Sequence, residues 1–306
     1  MKTKIQSMHR LNTIRFIASA MPVVLATTLK AQNIYVGNDG NNTIGEYGLD
    51  GSTINASLIS GLDAPESIAI LGNDLFVANL GNLGNPTGAT SGPVGEYTTS
   101  GATVNASLIS GFSYLLGIAI SGDDLFVGNS GSTVGEYTLS GATVDASLIS
   151  GLVQPSAIAI SGNDLFVANF YGFSIGEYTT SGVTVNASLI SGVVEPNAIA
   201  VSGNDLFVAC GNGTVGEYTT SGATVNASLI SGLGNPLGIA ILGNDLFVAN
   251  GSTIGEYTTS GSVINASLIT GLDGPAGIAI SPVPEPSAGA LTGLGAAALW
   301  LWRRRK

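Results

Sequence analysis

The body of this 306-residue chain has no basic side chain. No lysine or arginine occurs between Ala31 and Arg303, yet all 20 acidic residues fall in that interval, and the formal net charge is −11. Because acids without bases cannot neutralise phosphates, the sequence excludes nucleic acid as a partner. A body with one sign of charge also repels other copies of itself, so we expect a monomer.

Histidine and cysteine are almost absent as well. His9 lies in the N-terminal segment, and Cys210 is the single cysteine. One cysteine excludes an internal disulfide framework, and its apolar neighbours favour a small buried residue. Without histidine, lysine or arginine, the body has no Ser-His-Asp triad, no Schiff-base lysine and no histidine-containing metal site. We therefore predict a protein that is not an enzyme and has no cofactor, leaving open a divalent cation such as Ca²⁺ held by carboxylates.

Charge is scarce throughout the chain. Only 9% of residues are charged, whereas 44% are hydrophobic, and the sequence contains 44 glycines. This composition excludes a charged disordered chain and a long coiled coil. It is typical of many short strands joined by tight turns.

The N-terminal segment, residues 1–31, is typical of a secretory signal peptide. Four basic residues within the first fifteen precede an apolar stretch over residues 16–29, and small residues follow. We place the end of the signal at Ala31, although Ala18-Ser19-Ala20 fits the cleavage rule better. An uncleaved anchor is the alternative.

The C-terminal segment, residues 282–306, has three parts in order. A short rigid motif contains Pro284, Glu285 and Pro286, residues 288–302 are apolar and compatible with a helix, and Arg303-Arg304-Arg305-Lys306 closes the chain. The apolar part predicts a short transmembrane helix, although about 20 residues cross a bilayer comfortably. The basic end should stay cytoplasmic. An ordinary tail anchor with a proline-rich spacer is the alternative.

This order of motif, apolar span and basic end resembles the PEP-CTERM sorting signal of Gram-negative, biofilm-forming bacteria. The resemblance implies an exosortase-type sorting enzyme as a partner and removal of the tail near Pro284, Glu285 and Pro286. It also implies an intermediate anchored in the inner membrane, followed by delivery to the cell surface or the extracellular matrix.

Six copies of one unit fill residues 32–281. The tripeptide Gly-Glu-Tyr marks them, beginning at Gly45, Gly95, Gly135, Gly176, Gly216 and Gly255. In the copy over residues 155–192 we predict four strands, a to d, at 157–161, 164–169, 174–180 and 183–191. Two-residue turns join a to b and c to d, and no stretch has a helical period. Four antiparallel strands per unit predict the blade of a β-propeller.

The ends of the repeat region predict that the ring closes. The first copy begins at strand b, over residues 34–38, and one extra strand a, over residues 277–281, follows the sixth copy. Three strands from the start and one from the end complete a mixed blade. We therefore predict an all-β, six-bladed propeller with four-stranded antiparallel blades and 3+1 closure. An open β-solenoid is the alternative, although its ends would not need to complement each other.

The unit is similar to the NHL-type propellers and their relatives, including the streptogramin B lyase type. The likeness rests on Pro-x-x-Ile-Ala, Leu-Phe-Val-Ala-Asn and Ile-Gly-Glu-Tyr-Thr-Thr-Ser-Gly across residues 32–281. Such propellers include lyases, lactonases and binding modules, so the resemblance implies a fold and no particular activity. Streptogramin B lyases use a histidine with a divalent metal, and this body has no histidine.

Most acidic residues recur at fixed positions of the repeat, which indicates a structural use. One position holds Glu46, Glu96, Glu136, Glu177, Glu217 and Glu256, and a ring of these glutamates around a cation is a secondary hypothesis. The Asn-Ala-Ser triplets match a glycosylation sequon in five copies, but we interpret them as strand composition.

The b–c and d–a loops vary between copies, whereas the a–b and c–d turns hardly do. Alternating strand direction places both variable loops on one face, and such variation on a constant frame marks a binding face. We expect this face to gather Leu80, Leu83, Tyr114, Leu115, Phe170, Tyr171 and Phe173. The candidate binding residues are Tyr114, Phe170, Tyr171 and Phe173, for a surface polysaccharide or a surface protein. Neutral drift of the loops is the alternative.

The leading prediction is an exported, non-catalytic binding or structural module. The competing class is a lactonase-like hydrolase that depends on carboxylates and a divalent metal. That class requires non-repeat acids to converge at the mouth of the central channel. The candidates in the d–a loops are Asp63, Glu66, Glu195 and Asp273.

Overall fold

A computed structural model of the chain describes residues 32–82, 90–112 and 114–281. Within these ranges the chain forms six four-stranded sheets and one short strand pair. The same ranges contain no helix, and therefore none that is long and apolar enough to cross a membrane. The predicted signal over residues 1–31 and the predicted transmembrane segment over 288–302 lie outside the described residues.

Each blade has four strands, a to d, counted outwards from the axis. The innermost a strands are β4 (Pro65–Leu71), β10 (Leu115–Ser121), β14 (Pro155–Ser161), β18 (Pro196–Ser202), β22 (Pro236–Leu242) and β26 (Pro275–Ile280). The b strands are β1 (Asn33–Asn38), β5 (Asp74–Asn79), β11 (Asp124–Asn129), β15 (Asp164–Asn169), β19 (Asp205–Cys210) and β23 (Asp245–Asn250).

The two outer strands of each blade complete the sheets. The c strands are β2 (Thr43–Gly48), β8 (Val94–Thr98), β12 (Thr133–Thr138), β16 (Ser174–Thr179), β20 (Thr214–Thr219) and β24 (Thr253–Thr258). The d strands are β3 (Thr53–Ser60), β9 (Thr103–Ile109), β13 (Thr143–Ser150), β17 (Thr184–Ser191), β21 (Thr224–Ile230) and β25 (Val263–Thr270). A short pair, β6 (Gly81–Asn82) and β7 (Thr90–Ser91), lies in the b–c loop of the second blade.

The first blade joins the two ends of the repeat region. Its strand order is β26-β1-β2-β3, and blades 2 to 6 follow in chain order. Strand β1 pairs antiparallel with β26, so that Ile34 lies opposite Ile280. The Asn33 amide donates to Ser281 Oγ at 2.8 Å, and the Ser281 amide donates to the Asn33 carbonyl at 2.9 Å. The six a strands contact one another in a closed ring. The predicted propeller and its 3+1 closure are confirmed, and the open solenoid is wrong.

The b strands are apolar on both faces because each blade is packed between two neighbours. In β15, Leu165 and Val167 pack in the cluster shared with blade 3, whereas Phe166 and Ala168 pack in the cluster shared with blade 5. Burying one such large side chain contributes roughly 1.5–3 kcal/mol to folding. This two-sided burial explains the continuous apolar run Leu-Phe-Val-Ala in each repeat.

The Gly-Glu-Tyr motif exists because the tyrosine ring covers the glycine. The two residues are two apart on a strand and therefore share a face. A Cβ atom on Gly176 would lie 2.8 Å from Cε2 of Tyr178, and the same close approach recurs in all six copies. The six tyrosines are buried, so any larger residue at the glycine would displace a core ring.

The Asn-Ala-Ser triplet forms a bulge in each outer strand. In blade 3, Val134 pairs with Ile149 and Glu136 with Asp145, so residues 146–148 face Gly135 alone. The bulge leaves the Ser147 amide outside the ladder, and Asp145 Oδ1 accepts it at 2.9 Å. In the other five copies the asparagine Oδ1 accepts the equivalent serine amide at 3.1 Å. The position requires an acceptor oxygen, which explains why aspartate replaces asparagine at 145.

The glycine of the tripeptide gives a direct test of blade packing. We expect Gly176→Ala to lower the free energy of unfolding by about 1–3 kcal/mol, because its Cβ forces the Tyr178 ring out of place. Chemical denaturation followed by circular dichroism measures the change. Gly234→Ala is the matched control, since its Cβ would meet only Asn250 Oδ1 at 3.4 Å. Equal stabilities of the two variants would contradict this account of the motif.

Candidate functional site

The b–c and d–a loops lie together on one face, which we call the loop face. In five blades the first residue of the b–c loop donates its amide to the residue before strand a, over distances of 2.8–3.0 Å. The donor and acceptor pairs are Asp39 and Gly274, Leu80 and Ala64, Ser130 and Tyr114, Phe170 and Gln154, and Gly211 and Glu195. The repeated bond fixes the two variable loops to each other.

An asparagine at the end of strand b also holds the d–a loop. Asn79 Oδ1 accepts the Asp63 amide at 3.4 Å, and Asn169 Oδ1 accepts the Val153 amide at 3.2 Å. In blade 5 the same position is Cys210, which is buried and free. Burial raises the pKa of the Cys210 thiol, as expected for a small core residue. The loop face therefore rests on a rigid frame.

The accessible aromatic side chains are concentrated in one part of this face. Among the described residues, every phenylalanine and tyrosine is buried except Tyr114, Phe170, Tyr171 and Phe173. These are the four residues that the sequence selects as the candidate binding face. Tyr171 is 63% exposed and Phe173 45%, while Tyr114 and Phe170 are half-buried. All four belong to the loops of blades 3 and 4.

Two of the four residues share a groove of about 520 Å³. Tyr114 comes from the d–a loop that enters blade 3, and Tyr171 comes from the b–c loop of blade 4. We define the aromatic groove by its lining residues Tyr114, Ser130, Ser132, Leu152, Val153, Gln154 and Tyr171. Phe170 supports Tyr171 from the side, with ring centroids 4.9 Å apart and planes at 72°. The structure thus brings residues of two blades to one open depression.

Phe173 has an unusual backbone for an aromatic residue. Its φ is +48°, in the left-handed region, where a bulky side chain is strained. The same position before strand c is Asn42 in blade 1, Ser132 in blade 3 and Gly213 in blade 5. Blade 4 therefore keeps an exposed aromatic ring where blades 1, 3 and 5 have smaller residues in the same conformation.

The structure treats the three leucines expected on this face differently. Leu115 is buried, because it begins strand β10 at the position that proline holds in the other five a strands and packs in the core between blades 2 and 3. Its placement on the binding face was wrong. Leu80 is half-buried, and Leu83 lies outside the described residues.

The cavity in the central channel is smaller than most ligand pockets. Residues of all six a strands line it, and its volume is about 120 Å³, whereas ligand pockets usually measure about 300–1,000 Å³. Small residues allow the strands to converge, since a Cβ on Gly117 would lie 2.9 Å from Ala157 Cα in the next blade. The six repeated glutamates lie on the c strands, third from the axis. A ring of these glutamates around an axial cation is therefore wrong.

Among the described residues, Glu66 is the one acid that lines the channel. Burial, followed by the charge of nearby Asp39, raises the pKa of the Glu66 carboxyl to about 7. Burial and the charge of Asp273 raise the pKa of Asp39 in turn. Asp273 packs over Gly40 in the b–c loop of blade 1. The acids of blades 1 and 2 thus influence one another at the channel mouth.

Glu195, another acid of the hydrolase hypothesis, does not join this group. Glu195 lies over Gly211 in blade 5, and the described ranges contain no group of three or more His, Cys, Asp or Glu side chains placed to hold a metal ion. Asp39, whose charge raises the pKa of Glu66, was not among the acids predicted for the site. The available signal was that Asp39 is an acid at a position where the other copies have Leu80, Ser130, Phe170, Gly211 and Gly251.

The comparisons with known proteins agree with both parts of the chain. Residues 282–306 match the model of the PEP-CTERM protein-sorting motif. This motif implies export and surface sorting in bacteria through an exosortase-type enzyme. No curated protein matches the chain.

Solved structures match the propeller. A chain from a nidogen/laminin complex aligns with a TM-score of 0.62 and 13% identity, covering 83% of this chain and 99% of its own. A gluconolactonase from Xanthomonas campestris has a TM-score of 0.58 and 13% identity, covering 72% and 79%. A catalytically inactive virginiamycin B lyase from Staphylococcus aureus, solved with quinupristin, has a TM-score of 0.55 and 20% identity, covering 79% and 86%. At these identities the likeness shows the fold alone, and the NHL-like and streptogramin B lyase-like propeller recognised in the sequence is confirmed.

The carboxyl of Glu66 should make stability depend on pH. Its folded pKa of about 7 exceeds the ordinary value of 4.5, so the contribution of Glu66 to stability is fully present below pH 4.5 and is lost as pH rises through 7. A shift of this size corresponds to about 3 kcal/mol. We expect Glu66→Gln to raise the free energy of unfolding at pH 8 by about 3 kcal/mol more than it does at pH 4.5. Chemical denaturation at both pH values measures the difference. Parallel pH profiles of the wild type and the variant would contradict the assignment.

Proposed function

We propose that this protein acts at the cell surface or in the extracellular matrix as a non-catalytic binding module. The observation that carries the proposal is the concentration of every accessible aromatic side chain of the described residues in the loops of blades 3 and 4. Exposed aromatic residues on a rigid frame are typical of recognition surfaces. The repeat supplies the frame, and the variable loops supply the contacts.

The sorting motif gives the proposal its location. We propose that residues 288–302 anchor an intermediate in the inner membrane of a Gram-negative bacterium and that the tail is removed near Pro284, Glu285 and Pro286. The loop face then meets its partner outside the cell. A surface polysaccharide and a surface protein are the two classes of partner that fit this location.

A carboxylate-dependent hydrolase is the second candidate, and Glu66 is the observation that favours it. A half-buried carboxyl with a pKa near 7 at a channel mouth is the type of group that serves as a general base. However, the other lining residues at the same position of the a strand are Leu116, Ser156, Asn197, Leu237 and Ala276, which add no second acid–base group. The binding module therefore accounts for more of the structure.

The sorting step can be tested on the motif itself. We expect replacement of Pro284, Glu285 and Pro286 by alanine to leave the tail on the protein and the protein in the membrane fraction. Mass spectrometry of the C-terminus and cell fractionation measure both effects. Thr292→Ala, which keeps the motif and the apolar span, should be processed like the wild type. A triple variant that still loses its tail would contradict the assigned cleavage region.

The binding face can be tested by association with the producing cells and their matrix. We expect alanine at Phe170, Tyr171 and Phe173 together to weaken association about tenfold or more, because the accessible aromatic surface is lost. Val225→Ala removes an equally exposed apolar side chain, 54% accessible, from an outer strand and should have no effect.

A second variant separates binding from folding. Phe173→Gly relieves the strained backbone, so we expect a higher melting temperature together with weaker association. Unchanged association of the triple variant, or a Phe173→Gly variant that gains stability and keeps full association, would count against this face.

A further inference from the structure

We propose that the aromatic groove binds an uncharged polysaccharide. The inference rests on the proposed binding function and names the chemical class of its ligand. It is carried by three properties of the groove: its aromatic walls, its neutral polar groups and the absence of any charged side chain in its lining.

The walls of the groove combine apolar surface with polar groups. Tyr114 and Tyr171 each present an apolar ring with a hydroxyl at its tip, and Leu152 and Val153 add aliphatic surface. A sugar ring has the matching character, with C–H groups on its faces and hydroxyls around its rim. A ring that lies against a tyrosine can therefore bury its apolar face and keep its hydroxyls in polar contact.

The polar groups of the lining are uncharged hydroxyls and one amide. Ser130, Ser132 and the two tyrosines supply hydroxyls that both donate and accept. Gln154 Oε1 is buried and has no hydrogen-bond partner among the described residues. Buried acceptors without a donor are uncommon and lower stability. A ligand hydroxyl that entered the groove, with a small rotation of the Gln154 side chain, would supply that donor.

The charges of the protein favour an uncharged polymer over an anionic or a cationic one. The described residues contain acids but no lysine, arginine or histidine, so this part of the chain repels polyanions such as uronic-acid polymers and nucleic acids. The groove lining also lacks a carboxylate that would pair with a cationic ligand. An uncharged polymer is not repelled by the acidic residues and does not need a carboxylate in the groove.

The position of the groove disfavours an extended peptide as the ligand. Peptides commonly add a strand to an exposed sheet edge or lay a helix into an apolar groove. All seven lining residues lie in loops, so the groove offers no unpaired strand for main-chain pairing. Its volume of about 520 Å³ is within the usual range for small-molecule sites, and the groove is open to solvent.

Affinity electrophoresis of the full chain tests the proposal. The probes are dextran, galactomannan, mixed-linkage β-glucan and starch as uncharged polymers, with alginate and polygalacturonate as charged ones. We expect at least one uncharged polymer to retard the wild type and neither charged polymer to do so. Tyr114→Ala combined with Tyr171→Ala should weaken retardation at least tenfold, Gln154→Ala should weaken it severalfold, and Val225→Ala should match the wild type.

The outcomes separate the ligand class from the proposed function. Retardation by no uncharged polymer, stronger retardation by a charged one, or undiminished retardation of the double tyrosine variant would each overturn the proposal. Circular dichroism spectra that superimpose on the wild type exclude misfolding as the cause of any loss. The double variant could lose association with the producing cells while no uncharged polymer binds. That result would support the binding function, contradict the proposed ligand class and indicate a surface protein as the partner.

Discussion

Pairing of β1 with β26 is the interaction on which the rest of the structure depends. Every blade has apolar side chains on both faces, so an array that stayed open would leave two large apolar surfaces in water. Joining the first and last strands in one sheet removes both surfaces at once and turns six similar units into a ring. The closed ring then fixes the loop positions, because each blade is held between two neighbours.

Ring closure also determines which residues are available for function. The repeated residues are used by the blade itself: the glycine of Gly-Glu-Tyr accommodates a tyrosine ring, and the asparagine or aspartate of the outer strand holds a bulge. Asn169 and its equivalents anchor the neighbouring loops. Recognition must therefore come from residues that depart from the repeat. Tyr114, Tyr171 and Phe173 on one side of the ring and Glu66 at its axis are departures of this kind.

The charge pattern and the groove lead to the same class of ligand by independent routes. An acidic body without bases repels anionic polymers over its whole surface, whereas the groove itself is neutral. The aromatic and hydroxyl lining then favours a partner that is apolar on its faces and hydroxylated at its rim. The PEP-CTERM motif implies export and surface sorting in bacteria, which is the location that the proposed ligand class requires.

The sequence by itself determined the all-β class, the six blades, the 3+1 closure and the sorting motif, because repeats and paired half-units follow from local order along the chain. It also selected the four accessible aromatic residues, since variable loops on a constant frame are visible as sequence. Only the tertiary structure decided that Leu115 is a core residue and that Asp39 acts on Glu66. It alone showed that Tyr114 and Tyr171 share a groove with Gln154. The physical reason is that these relations join residues of different loops or blades, and the distance between them is set by how the blades pack.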